Sequence, residues 1–119
     1  MNNLIIDAAG EEIFLELIVD KNVYTCRHEN SKINFEKLMI LINNFLKDNK
    51  SSLDDLDVIY VNRGPGSFAG IRNSLATIKA LFLTKKIDYY CFSFKDFNEF
   101  DTPKYEDIPN LCKKFKIKK

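Results

Sequence analysis

A glycine-rich segment in the middle of the chain has the residue types and the spacing of an anion-binding loop. It occupies residues 63–72, directly after an apolar run and directly before a helical pattern. A strand, a glycine turn and a helix start can direct backbone N–H groups and the positive end of a helix dipole at a phosphate. Pro65 and Gly66 fit the central positions of a type II turn, and Ser67 fits the helix N-cap. The segment therefore predicts either a phosphate cradle or a rigid turn between strand and helix.

The loop lacks the lysine that follows the glycines in phosphate-binding loops of the Gly-Lys-Ser/Thr type. We therefore favour a structural or partner-contact role over an occupied anion site. Arg63 and Arg72 bracket the loop and are expected to lock it by bonding carbonyl groups or a carboxylate such as Asp7, with phosphate contact as the alternative. The residues assigned to this motif loop are Arg63, Gly64, Pro65, Gly66, Ser67, Gly70 and Arg72.

No other group of residues predicts chemistry. His28 is the single histidine and has no patterned Ser or Cys nucleophile, so it is interpreted as a surface residue. The acidic residues between positions 54 and 57 stand in a short polar connection and are interpreted as solvated or as turn caps rather than as metal ligands. The lysine-rich C-terminus, residues 113–119, is expected to be a solvated tail, with contact to RNA phosphates as the alternative. The sequence predicts no catalytic residue, no cofactor and no metal.

Composition indicates one globular domain of ordinary size. The chain has 119 residues, 45% of them hydrophobic and 29% charged, and a net charge of +1, which favours neither a nucleic acid nor a membrane as partner. It contains no apolar run of membrane-spanning length and no export signal. Its three cysteines are far apart and odd in number, so they are expected to be reduced thiols in a cytoplasmic protein.

The pattern predicts three strands in a meander followed by helix, strand, helix and strand. The expected strands cover residues 4–6, 13–19, 23–27, 58–61 and 89–92, and the expected helices cover residues 34–48 and 68–83. Ser31 or Asn34 is expected to cap the first helix. Such an order gives an α/β fold with a mixed five-stranded sheet, similar to one lobe of the actin-like, sugar-kinase-like (ASKHA) architecture. Residues 1–97 are assigned to that lobe, and residues 98–119 to a short C-terminal extension in place of a second lobe.

Both predicted helices carry more apolar surface than one sheet face requires. Apolar residues occupy more than half of the circumference of the first, and the second adds the small residues Ala76 and Ala80 beside its apolar sector. Such surplus surface predicts an interface with another protein. The alternative is that the C-terminal segment folds back over the helices.

Residues 62–72 resemble the central motif of the bacterial tRNA threonylcarbamoyladenosine biosynthesis protein TsaB (YeaZ-like) family. The family pattern Gly-Arg-Gly-Pro-Gly-Ser-Phe-Thr-Gly-Val-Arg is met with Asn62 for the first Gly, Ala69 for Thr and Ile71 for Val. The residues at 5–7 and Ser93 also resemble family positions, so the resemblance covers residues 4–97, the N-terminal lobe of the family.

This resemblance implies a non-catalytic scaffold in the complex that modifies tRNA to threonylcarbamoyladenosine. The implied partners are a TsaD-like catalytic subunit, bound as a heterodimer through the two helices, a TsaE-like ATPase in the assembled complex and, indirectly, tRNA. Self-association of the protein alone through the same helices, as a homodimer, is a further interpretation, and no membrane partner is expected. The expected interface residues are Phe35, Leu38, Met39, Ile42, Phe68, Ile71, Leu75, Ile78 and Phe82.

The chain departs from the family pattern after Asp7. Family members usually place hydroxyl residues there, whereas this chain has Ala8, Ala9 and Gly10, which cannot hold a phosphate or a metal-bound water through a side chain. The alternative function is an enzyme, either a homodimeric one-lobed ATPase or a glycoprotease-like protein. The absence of a nucleophile–base pair in the sequence disfavours it.

Overall fold

The computed structural model describes residues 1–97 and 104–117. The strands are β1 (Asn2–Asp7), β2 (Glu12–Val19), β3 (Asn22–Glu29), β4 (Val58–Asn62) and β5 (Asp88–Phe92). The helices are α1 (Lys32–Glu36), α2 (Leu38–Asp48), α3 (Phe68–Lys85) and α4 (Ile108–Lys114). Short 3-10 turns occupy Leu53–Asp55, Phe94–Asp96 and Tyr105–Asp107. Every strand predicted from the sequence is present and is one to three residues longer than expected.

The strands form one five-stranded mixed sheet in the order β3-β2-β1-β4-β5. The first three strands pair antiparallel through tight connections. β4 pairs parallel with β1, and β5 pairs parallel with β4, because a helix precedes each of them. The predicted fold class is therefore confirmed. Since β1 and β4 run in the same direction, their carboxyl ends, Asp7 and Asn62, emerge at the same edge of the sheet.

The first face of the sheet packs against α1, α2 and α3. Alternate residues of β1, β2 and β4 point to this face, and their large aliphatic side chains are fully buried against the helices. The central strands are apolar on both faces because the second face is covered as well. This first face holds the larger of the two hydrophobic clusters.

The second face packs against the C-terminal segment. Ile5, Tyr60 and Phe92 from the sheet contact Ile108 and Cys112 of α4. The alternative in which this segment folds back over the helices is therefore wrong for residues 104–117, since they lie on the opposite side of the sheet. Positions 98–103 and the last two lysines fall outside the described residues. The assignment of 98–119 as a replacement for a second lobe stays a prediction.

The helix expected at residues 34–48 is divided into α1 and α2. Lys37 leaves the helical conformation with φ −101° and ψ 11°. The division lets α1 pack against the start of α3 while α2 packs against β2 and the middle of the sheet face. Ser31 is the N-cap of α1, because its side chain accepts a hydrogen bond from the backbone N–H of Asn34.

Candidate functional site

The edge where β1 and β4 end is the candidate site, and Asp7 is its acidic residue. The Asp7 side chain is 7% exposed. One carboxylate oxygen accepts the backbone N–H of Ala9 at 3.0 Å, and the other accepts the phenol O–H of Tyr105 at 2.6 Å. Burial of Tyr105 and its bond to Asp7 raise the pKa of the phenol, which therefore remains a donor. Both oxygens of Asp7 thus have partners within the chain.

The strand side of the motif loop is held by hydrogen bonds within the chain. The backbone N–H of Arg63 donates to the carbonyl of Phe92 at 2.8 Å, and that of Gly64 donates to the Asn62 side chain at 2.8 Å. The Gly64–Pro65 peptide bond is cis, and φ of Gly66 is 158°. A type II turn requires φ near about 80° at its second central residue. The predicted type II turn is therefore wrong, although glycine is required for a different reason.

The helix side of the motif loop packs directly on the residues that follow Asp7. The backbone N–H of Ser67 donates to the carbonyl of Ala9 at 2.8 Å, and the Ser67 side chain caps α3 as predicted. A Cβ atom added to Gly66 would lie 2.2 Å from the Ala9 carbonyl oxygen, and one added to Gly70 would lie 2.0 Å from that of Ala8. The two glycines therefore permit backbone to pack against backbone, and the loop N–H groups of Arg63, Gly64 and Ser67 bond within the chain.

Arg63 links the motif loop to the turn after β5. Its guanidinium donates to both carboxylate oxygens of Asp96, at 2.5 and 2.7 Å, and to the carbonyl of Cys91 at 3.3 Å. The bond from Arg63 is the main cause that lowers the pKa of Asp96. The carboxylate that pairs with Arg63 is therefore Asp96 and not Asp7. Arg72 makes a different contact: its guanidinium carbon lies 5.6 Å from the centre of the Phe68 ring, on the exposed start of α3.

The other sequence candidates have local structural contacts. The His28 Nε2 atom lies 3.7 Å from the Cys26 sulfur. Asp54 pairs with Lys85 at 3.4 Å, Asp55 closes the capping box of its own turn, and Asp57 accepts the backbone N–H of Asn2 at 2.7 Å. Within residues 1–97 and 104–117, no group of three or more His, Cys, Asp or Glu side chains could hold a metal ion.

Three of the expected interface residues lie in the core. Leu38, Ile42 and Ile78 are at most 1% exposed and pack against the first face of the sheet. They anchor the helices to the sheet and are not accessible to a partner protein. The prediction assigned them from apolar periodicity, which does not distinguish the inner side of a helix from its outer side when both are apolar. Phe35, Met39, Ile71 and Leu75 are half-buried.

The remaining two expected interface residues, Phe68 and Phe82, are exposed. We define the outer helix surface as the exposed apolar side chains of α1, α2 and α3. Its large members are Ile33, Ile40, Phe68, Phe82 and Leu83. On α3 they are joined by exposed alanines, Ala69, Ala76 and Ala80. The sequence expectation missed Ile33, Ile40 and Leu83. Ala80 follows Ala76 at a spacing of four, and Leu83 follows Ala80 at a spacing of three, which is the signal that places them on one helix face.

The described chain contains no helix that is long and apolar enough to cross a membrane. The mixed sheet carries three helices on one face and a glycine loop where two parallel strands end. This arrangement defines the class of protein as one lobe of an actin-like, sugar-kinase-like fold.

A model of the TsaD family, described as tRNA N6-adenosine threonylcarbamoyltransferase, matches residues 29–93, which is more than half of the chain. The chain belongs to this family. Within it the chain is TsaB/YeaZ-like.

Two curated relatives are named tRNA threonylcarbamoyladenosine biosynthesis protein TsaB. The protein of Buchnera aphidicola subsp. Baizongia pistaciae is 35% identical over 65 residues, covering 47% of this chain and 29% of the relative. The protein of Buchnera aphidicola subsp. Schizaphis graminum is 29% identical over 90 residues, covering 76% of this chain and 43% of the relative. The chain therefore matches less than half the length of either relative.

Two solved structures have the same fold. YeaZ from Pseudomonas aeruginosa superimposes with a TM-score of 0.70 at 20% identity, and an uncharacterised Pseudomonas aeruginosa protein with similarity to peptidase YeaZ superimposes with 0.71 at 20% identity. Each alignment covers 77% of this chain and 43% of the solved chain.

Proposed function

We propose that this chain is a non-catalytic scaffold in the formation of N6-threonylcarbamoyladenosine in tRNA. In this role it binds and stabilises a TsaD-like catalytic subunit through the outer helix surface. Family membership supports the process, and the TsaB names of the curated relatives support the kind of subunit. The observation that carries the proposal is that the C-terminal segment covers the second face of the sheet and leaves the outer helix surface exposed.

The shape of α3 suits docking of a helix from another protein. Phe68 and Leu83 are 77% and 75% exposed at its two ends. Between them lie Ala76 and Ala80, whose short side chains permit close approach of a second helix. Large exposed apolar side chains are typical of protein interfaces, where they enter pockets of the partner.

A scaffold role without catalysis is supported at the candidate site. The Asp7 carboxylate bonds Tyr105 and Ala9, and the motif loop bonds within the chain. In ATP-binding proteins, the backbone N–H groups of such a loop bind the nucleotide phosphate, and a carboxylate holds the metal ion that accompanies it. The loop here instead joins β4 rigidly to α3 and thereby positions the docking helix.

We propose that a TsaE-like ATPase acts in the assembled complex and that contact with tRNA is indirect, through the catalytic subunit. When no partner is present, a second copy of this chain is expected to occupy the outer helix surface, since an exposed apolar patch tends to self-associate.

Co-expression with the TsaD protein of the same cell tests the proposal. The pair is expected to co-purify, and the double variant Ala76→Glu, Leu83→Glu is expected to abolish co-purification because it places two charges in the apolar contact. Deletion of the gene is expected to remove threonylcarbamoyladenosine from total tRNA, measured by mass spectrometry of nucleosides.

Val23→Glu is the matched control, since Val23 is an exposed apolar residue on β3, far from α3 in the sheet order. It should leave co-purification unchanged. Failure of the wild-type chain to co-purify, together with normal tRNA modification after deletion, would contradict the proposal. Light scattering of the isolated protein reports self-association, which the same double variant should abolish.

A further inference from the structure

A cavity of about 340 Å³ lies between α4 and the second face of the sheet. Met1 and Val58 line it at the amino ends of β1 and β4, so it lies at the edge of the sheet opposite the motif loop. Its volume lies within the range of small-molecule sites, about 300–1,000 Å³. It shares no residue with the candidate site or with the outer helix surface.

Two aromatic rings form one wall of this cavity. Tyr60 and Tyr90 are direct neighbours on the parallel strands β4 and β5, and their ring centres lie 5.5 Å apart with an angle of 15° between the planes. Val58, Pro109 and Ile117 supply aliphatic surface around them. A wall of this kind favours a flat, apolar group that stacks or lies along the rings.

The charged residues of the cavity are of one sign. Lys113 and Lys116 line it from the end of α4 and the turn that follows, and both are exposed. No carboxylate stands among the described residues that line it. Two ammonium groups beside an apolar wall favour a ligand with a negatively charged end.

Tyr60 supplies a buried donor. Its side chain is 7% exposed and lines the cavity. Burial raises the pKa of Tyr60 to about 12, with further contributions from Cys112 and Tyr90, so the phenol stays protonated and can donate. Burial also raises the pKa of the Cys112 thiol to about 12, which leaves that side chain as a neutral part of the wall.

We propose that this cavity is a binding site for a small planar organic anion. The flat body lies along Tyr60 and Tyr90, and the anionic group accepts hydrogen bonds from Lys113, Lys116 and the Tyr60 hydroxyl. Carboxylate and phosphate groups share this chemistry, since each presents several acceptor oxygens to ammonium and phenol donors. The proposal is independent of the scaffold role.

Titration of the full chain with 1-naphthoate, followed by ¹H–¹⁵N NMR, tests the proposal. Chemical-shift changes are expected on the residues that line the cavity. The neutral analogue 1-naphthalenemethanol is expected to bind about tenfold more weakly, because it lacks the charge that the lysines hold. A parallel titration with 1-naphthyl phosphate shows which anionic group the cavity prefers.

Two variants separate the charged donors from the phenol. The double variant Lys113→Gln, Lys116→Gln should weaken naphthoate binding about tenfold and leave the neutral analogue unchanged, whereas Tyr60→Phe should weaken it about threefold. Lys79→Gln, Lys104→Gln is the matched control, since it removes two exposed lysines outside the cavity. Equal binding of the charged and neutral probes, or shifts confined to the outer helix surface, would overturn the proposal.

Discussion

The buried carboxylates of Asp7 and Glu16 differ in their hydrogen bonding. Asp7 has a hydrogen-bond donor for each oxygen, whereas the Oε2 atom of Glu16 has no hydrogen-bond partner within the described residues. Glu16 is 5% exposed on the face of β2 that the C-terminal segment covers. Burial, together with the nearby charges of Glu106 and Asp107, raises its pKa to about 7.

The Glu16 carboxyl should therefore make stability depend on pH. Because its pKa is higher in the folded chain than the 4.5 of a solvated glutamate, protonation favours folding. Its contribution is fully present below pH 4.5 and is lost as pH rises to about 7. We expect the free energy of unfolding to fall by about 2 kcal/mol between roughly pH 5 and 8. Urea denaturation across this range measures the effect.

Glu16→Gln provides the control for this titration. The amide has nearly the same shape and no charge, so the variant should lose the fall in stability between about pH 5 and 8. The charged groups on neighbouring elements remain in this variant: Asp7 on β1, Arg27 on β3, and Glu106 and Asp107 on the covering turn. An unchanged pH profile in Glu16→Gln would show that another group causes it.

Gly70 shows how backbone contact overrides helix propensity. Replacing glycine by alanine inside a helix usually stabilises it by about 1 kcal/mol. At Gly70 the added Cβ would lie 2.0 Å from the carbonyl oxygen of Ala8, a backbone atom that cannot move aside cheaply. We expect Gly70→Ala to destabilise the protein by about 2–4 kcal/mol, measured by thermal or urea denaturation. Gly10→Ala is the matched control, since nothing lies within 4 Å of its added Cβ.

Among the elements, α3 performs two tasks on two sides. Its inner side buries Ile78 and Leu81 against the sheet, and its outer side exposes Ala76, Ala80 and Leu83. The motif loop fixes its start. Lys86 is its C-cap, with φ 57° in the left-handed region, and donates its backbone N–H to the carbonyl of Phe82. A helix so held at both ends presents a rigid outer side, which suits the docking role proposed for it.

The two sides of α3 should respond differently to truncation of a side chain. Ile78→Ala removes a fully buried side chain and should cost about 2–5 kcal/mol of stability. Leu83→Ala removes a side chain that is 75% exposed and should change stability by less than about 0.5 kcal/mol. Urea denaturation compares the two variants. A large loss of stability in Leu83→Ala would mean that Leu83 is not part of an open surface.

In the molecule as a whole, the C-terminal segment completes the core. Phe97, Ile108 and Cys112 are each at most 5% exposed and pack against Ile5 and Phe92 on the second face of the sheet. The Tyr105 ring stacks on Phe14 with 4.2 Å between ring centres. The sheet is therefore covered on both faces, as its apolar central strands require.

A chain truncated after Phe97 should consequently be unstable. Loss of α4 and of the Tyr105 turn exposes the apolar second face, and we expect a loss of more than about 3 kcal/mol or a transition that is no longer cooperative. Thermal unfolding followed by circular dichroism measures it. A synthetic peptide of residues 104–117 added in trans should restore part of the stability, while a scrambled peptide should not. Full stability of the truncated chain would contradict the packing described above.

Local sequence patterns predicted the five strands, α3 and the helix N-caps because the interactions behind them span few residues, whereas they did not predict α4 or the division between α1 and α2. Strand alternation and helical periodicity depend on neighbours within a turn or two, and so do the N-caps Ser31 and Ser67. The order of the elements along the chain in turn restricted the sheet to a mixed topology. The motif loop was recognisable for the same reason, as a strand and a helix joined by glycines. These features follow from covalent geometry and nearby hydrogen bonds.

The long-range pairings depended on packing of the whole chain. Tyr105 and Asp7 are 98 positions apart, and Arg63 and Asp96 are 33 apart, so no local pattern relates them. Which side of an apolar helix faces inward also depends on how the helix lies on the sheet, which is why Ile78 was expected at an interface and lies in the core. Both the long-range residue pairs and the orientation of the helix depend on how many side chains pack together in a closely packed interior.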